Sequence, residues 1–171
     1  MQLKQALEKS KAKFITQWFE KTIATYPADT AKILGKDADR FDNPVGAVTR
    51  ETLEDVFNHI LDGCTLDSLE TKLDPVIRIR AVQSFTAADA VSFVFALKPI
   101  GEQLLPESLI LDFHRLVDQI ALAAFNRLMQ CKEEVFLLKA TESKRRIHRA
   151  FERAGLVAEL SEEELVGSQK S

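Results

Sequence analysis

The sequence predicts an all-α, single-domain helical bundle that closes with a long C-terminal helix or a helical hairpin. Three observations lead there. Apolar residues recur every three or four positions through most of the chain. Each recurrence is bracketed by residues that start or stop helices. No two period-two segments joined by a hairpin turn are available to form a sheet. Length and composition agree, since 171 residues, 46% apolar and 29% charged, with six glycines, five prolines and two cysteines, suit one globular domain.

Leu3, Leu7, Phe14, Trp18 and Thr22 mark a first amphipathic helix that ends near Tyr26 and Pro27. A short helix over residues 28–34 stops at Gly35, and the polar residues 36–42 read as a loop. Asn43 suits an N-cap and Pro44 the first helical position, so Val45, Val48, Thr52, Val56 and Ile60 belong to a helix that closes at Gly63. Thr65 caps a short helix through Leu73, after which Asp74 and Pro75 repeat the cap-then-proline signal. Residues 76–82 alternate with period two and are rich in β-branched side chains, but a lone strand would leave its backbone donors unpaired, so helix is expected there too.

Thr86, with Asp89 three residues on, opens a segment over residues 87–105 whose Val91, Phe93, Val94, Phe95 and Leu97 surround the axis. Such a helix is buried on nearly all sides, and Pro99 should kink it or end it early. Residues 107–154 then contain no Gly and no Pro. A single helix there would be about 70 Å long, against a radius of gyration of about 16 Å for a compact domain of this size. Either the run folds back near residues 130–134, or its stripe Phe113, Val117, Ile120, Ala124, Leu128, Val135 and Leu138 pairs with a second copy as a homodimer interface. The first half of that stripe has an alternative, which is to pack inward on the 87–105 helix.

The chemistry-bearing residues are sparse. His59, His114 and His148 are far apart in sequence and outside any metal-ligand spacing, although Asp55 and Asp118 stand one helical turn from the first two. No phosphate-binding glycine loop and no nucleophile elbow occurs, so neither catalytic nor metal residues are assigned and no cofactor is expected. Haem is disfavoured because residues 87–105, where a globin would carry its proximal ligand, contain no histidine. Cys64 and Cys131 have no paired spacing and read as two reduced thiols.

The formal charge of -3 gives no basic field to gather nucleic acid or a membrane, and the longest all-apolar run, residues 120–125, is too short to span one. The lysine-bearing start has no apolar stretch after it, so no secretory signal is read and a cytoplasmic location is expected. Locally, Lys139, Lys144, Arg145, Arg146, Arg149 and Arg153 face only Glu142 and Glu152. Besides a solvated helix face, this suits docking of an acidic partner, with Lys144, Arg145, Arg146 and Arg149 at its centre, or a contact with the acidic tail Glu159 and Glu162 to Glu164.

Three stretches, QWFEKTIATYP at residues 17–27, RFDNPVG at 40–46 and DPVIRIRAVQSFTAADAVSFVFALK at 74–98, together resemble the N-terminal domain of the RsbT co-antagonist proteins of the RsbR and RsbRD type, over about residues 11–129. The resemblance implies a helical domain related to non-haem globin-like sensors. It also implies the input end of the bacterial stressosome, a stress-response signalling assembly in which a C-terminal STAS domain contacts a switch kinase. No segment for a STAS domain follows, so the expectation is a stand-alone input domain, with residues 1–138 as the sensor domain and residues 139–171 as a basic helical extension and acidic tail.

Asn43, Pro44 and Gly46, and Arg78, Arg80, Ala81, Val82 and Gln83, are the positions that match the family pattern. Capping explains the first three. Arg78 and Arg80 point about 200° apart on a helix, so both cannot be buried, and one is expected to offer its planar fork to Asp74, to Asp89 or to a ligand carboxylate. Arg78, Arg80, Phe85, Phe93 and Phe95 form the candidate ligand-binding set. The expected function is a non-enzymatic regulatory or sensory module that dimerises and relays a signal to a protein partner; the alternative is a binding protein for a small apolar ligand, held between the phenylalanines near Pro99.

Overall fold

A computed structural model describes residues 2–36 and 40–155, which form seven helices and no strand. These are α1 (Leu3–Ile23), α2 (Ala28–Leu34), α3 (Pro44–Asp62), α4 (Leu66–Val82), α5 (Ala87–Phe95), α6 (Leu97–Leu104) and α7 (Glu107–Arg153). The acidic tail and residues 37–39 of the expected loop lie outside the described residues. The chain divides into two compact units, Met1–Lys132 and Glu133–Ser171.

The first unit holds the core. Phe14 and Trp18 of α1, Leu53 and Phe57 of α3, Leu73 and Ile77 of α4 and Phe113 of α7 are all at most 1% exposed. Helix α3 lies against α4 and α1, and α1 also against α6. The Phe14 ring centroid is 5.3 Å from that of Phe57 and 5.4 Å from that of Phe113, so three helices meet at one aromatic cluster. Gly101 of α6 makes room for it, because a Cβ there would overlap the Phe113 ring.

Two of the expected breaks behave differently. Asp74 and Pro75 do not restart the chain, since α4 runs unbroken from Leu66 to Val82 with Pro75 inside it. Proline costs the helix one backbone hydrogen bond, and the burial of Leu69, Leu73, Val76 and Ile77 on both sides outweighs that loss. The β-branched segment after it is helical, as the missing pairing partner required. Pro99 does divide the following segment, but at Ala96, three residues earlier, where the proline leaves a carbonyl of the preceding turn without its donor. Burial there is also less complete than expected, with Phe95 45% exposed. The long Gly- and Pro-free run is one helix of 47 residues and does not fold back.

Helix ends are tied by polar side chains. Asn43 accepts a hydrogen bond from the Gly46 amide at 3.0 Å, which caps α3, while its Nδ2 donates to the carbonyls of Ile33, Leu34 and Lys36 at 3.2, 2.9 and 3.2 Å. One amide group thus satisfies both the first turn of α3 and the last turn of α2. Gly46 is required by this staple, because a Cβ there would overlap Asn43 Nδ2 and the Leu34 carbonyl. Thr65 and Ser68 form the reciprocal capping box that opens α4.

Asp74 links α4 to α7 within the first unit. It accepts from Arg127 Nε at 2.6 Å and from Arg78 Nε at 3.4 Å, and nearby Asn126 donates to Glu70 at 2.9 Å. Partial burial alone would raise the Asp74 carboxyl, but the bonds from Arg127 and Arg78 outweigh it and hold the group below its ordinary 3.8. Lys98 and Glu102 of α6 reach Asp118 at 2.7 Å and His114 at 3.4 Å on α7. Asp118 therefore serves Lys98, and His114 faces Glu102 across the helix pair.

Two outcomes are expected. Gly46→Ala and Gly101→Ala should each lower stability by about 1–3 kcal/mol in urea denaturation, whereas an exposed change such as Lys36→Ala should stay within about 0.5 kcal/mol. Because the folded Asp74 carboxyl lies below its unfolded value, its contribution is complete above about pH 4 and lost as pH falls through the folded value. The stability gap between wild type and Asp74→Asn, followed by denaturant titration, should therefore close on acidification below about pH 4.

Candidate functional site

The last turn of α4 carries a cation into the core. Arg80 is fully buried, at 0% exposure, between the end of α1 and the start of α5. Its Nε donates to the Ala90 carbonyl at 2.9 Å, and Nη2 donates to the Asp89 carbonyl at 2.9 Å and to Thr25 Oγ1 at 3.0 Å. Around it stand three rings, with the guanidinium carbon 4.2 Å from the Phe85 centroid, 5.2 Å from Phe93 and 5.4 Å from Tyr26. Nη1 is buried and has no hydrogen-bond partner among the described residues.

The sequence builds this cage locally. Thr86 caps α5 by accepting from the Asp89 amide at 3.1 Å, which fixes where the first-turn carbonyls of α5 stand. The Asp89 carboxylate is exposed and accepts from the Thr86 hydroxyl at 2.6 Å. Arg80 therefore bonds the backbone carbonyl of Asp89 and not its carboxylate. Burial pushes the guanidinium below its ordinary value, and Tyr26 and Asp89 oppose that shift. The rings are held in turn. Tyr26 donates its hydroxyl to Gln83 at 2.9 Å and meets Phe85 edge-on at 5.2 Å, and Trp18 stacks on Phe93 at 6.2 Å while its Nε1 donates to the Phe93 carbonyl at 2.8 Å.

Of the candidate ligand-binding set, Arg80, Phe85 and Phe93 are brought together, whereas Arg78 and Phe95 lie elsewhere. Arg78 is half-exposed and paired with Asp74, so the two arginines divide as the 200° separation requires. Phe95 lies beneath the Lys98 ammonium, 5.7 Å from its ring centroid. Thr25, Tyr26 and Gln83 complete the cage and lie outside the expected ligand-binding set, although all three stand inside the stretches that carry the family resemblance. A groove of about 470 Å³ on the first unit is lined by Asp67, Glu70, Thr71, Asp74, Arg127 and Gln130, and another of about 280 Å³ by residues that include Phe19, Ile23 and Arg50. Neither is lined by Phe85, Phe93 or Phe95.

The expected dimer stripe needs correction in its first five members. Phe113, Val117, Ile120, Ala124 and Leu128 are 0–1% exposed and belong to the same buried cluster as Phe14 and Leu73. They cover this chain's own core and offer nothing to a partner, whereas Val135 is half-buried and Leu138 is 70% exposed. Lys144, Arg145, Arg146 and Arg149 are exposed, and Glu142 accepts from Arg146 Nε at 3.2 Å.

Arg80→Lys should cost about 1–3 kcal/mol, because an ammonium cannot serve two carbonyls and a hydroxyl in one plane. Arg78→Lys, at an exposed pair, should change stability by less than about 0.5 kcal/mol. Chemical denaturation followed through Trp18 fluorescence checks both, and equal effects would contradict the cage as drawn.

No curated protein and no solved structure matches the chain. The family model described as the RsbT co-antagonist protein rsbRD N-terminal domain matches residues 12–143. That match takes in the α2–α3 staple, the Arg80 cage and α7 as far as the start of the basic stretch, and the chain belongs to the RsbRD N-terminal domain family.

Proposed function

We propose that the chain is a non-enzymatic input module of stressosome-type signalling that dimerises and relays a signal to a protein partner. Family membership supports the signalling role, since the family is a regulatory one. The observation that carries the relay is the surface of the second unit. Among its described residues none is buried, and Phe136, Leu137, Leu138, Ile147 and Phe151 are 48–70% exposed. So much apolar surface on one helix marks an interaction site. In this reading Val135 and Leu138 meet a second copy, and Lys144, Arg145, Arg146 and Arg149 attract an acidic signalling partner.

What favours this over an apolar-ligand carrier is the use the phenylalanines are put to. Phe85 and Phe93 pack on Arg80, and Phe93 also stacks on Trp18. The reading assigns no role to nucleic acid or a membrane, and no helix among the described residues is long and apolar enough to cross one.

Val135→Glu with Leu138→Glu places like charges on both sides of a two-fold contact. Light scattering should report a dimer for the wild type and a monomer for the variant, with helix content retained by circular dichroism. A monomeric wild type would end the dimer proposal, and an unchanged dimer would move the contact away from these two residues.

A further inference from the structure

Within the second unit, the last four turns of α7 combine an apolar strip with unneutralised charge. At 100° per residue, Ala140, Ile147, Phe151 and Ala154 fall within about 60° of one another. Lys139, Arg146 and Arg153 flank the strip on one side and Lys144 and His148 on the other. Ile147 is 56% and Phe151 48% exposed. The acidic residues on this stretch are already engaged: Glu142 with Arg146 at 3.2 Å and Arg149 at 3.8 Å, and Glu152 with His148 at 3.2 Å. Of the flanking cations, Lys139, Lys144 and Arg153 have no carboxylate partner among the described residues.

We infer that this face is a docking surface and that its occupant is the acidic segment Glu159 to Glu164 of the same chain. Three observations favour that occupant over others. The segment carries Glu159, Glu162, Glu163 and Glu164, with Leu160 and Leu165 among and beside them, so it offers both the charge and the apolar groups that the face is missing. Gly155 ends α7 with φ +68°, a left-handed conformation in which the helix stops, and its amide donates to the Glu152 carbonyl at 3.0 Å. The distance is right as well. Four to nine residues beyond Gly155, at up to about 3.5 Å each, reach back about 14–32 Å. Lys144, eleven residues before it, lies about 16 Å along the helix. An acidic protein partner for the same face would have to displace this segment, so the contact regulates the docking proposed above without depending on it.

Backbone amide hydrogen exchange over residues 139–153 of the full chain, at low salt and at two protein concentrations, tests the inference. Changing Glu159, Glu162, Glu163 and Glu164 together to Lys should lower protection there by about tenfold, while wild-type protection stays the same at both concentrations. Adding Lys139→Glu, Lys144→Glu and Arg153→Glu to that variant should restore it. The helix dipole cannot mimic this pattern, because lysines beyond the C-terminus would strengthen α7 and glutamates in its last turns would weaken it. A quadruple Lys variant that exchanges like the wild type would overturn the inference. Protection that falls on dilution would overturn it too, by assigning the face to a second copy.

Discussion

The structure of the first unit depends on placing one guanidinium in its core with no carboxylate bonded to it. Removing a charge from water costs several kcal/mol, and Arg80 recovers it from carbonyl dipoles, one hydroxyl and the faces of three rings. That solution imposes demands on its neighbours. α4 must continue through Pro75 to bring Arg80 to the right depth, and α5 must begin at Thr86 so that the Asp89 and Ala90 carbonyls stand where the fork can reach them. α1 must end where Thr25 and Tyr26 close the cage. Three helix ends are thereby fixed relative to one another by one side chain.

The same device recurs with neutral and acidic groups. Asn43 joins the end of α2 to the beginning of α3, and Asp74 joins the middle of α4 to α7. Each lies where backbone or side-chain donors and acceptors are left without intrahelical partners, so burial of a polar group is offset by bonds that apolar packing could not supply. These ties specify angles between helices, which the greasy contacts of Phe14, Phe57 and Phe113 would tolerate over a wider range.

α7 serves two purposes in sequence. Up to Cys131 it contributes a buried stripe to the core, and from residue 133 onward its described residues are accessible. An input module of a signalling assembly needs such a division, with a part that holds a folded state and a part that remains available to be read. The basic residues and the apolar strip of residues 139–154 lie wholly in the available part.

The sequence by itself determined the helical class and most of the helix ends. Asn43 and Pro44, Thr65, Thr86, Gly35 and Gly63 act within one turn of themselves, so helix ends were legible from local chemistry, and the three- and four-residue spacing gave the buried faces of α1, α3 and α7. It also required that Arg78 and Arg80 part company. Only the tertiary structure decided which arginine went inside, that Asp74 would serve α7 and not start a helix, and that the stripe from Phe113 to Leu128 would be consumed by the chain's own core. Each of those outcomes depends on a partner dozens of residues away. Spacing along one helix reports that a face is apolar or charged, but the free energy of covering it belongs to whichever surface the rest of the chain brings against it.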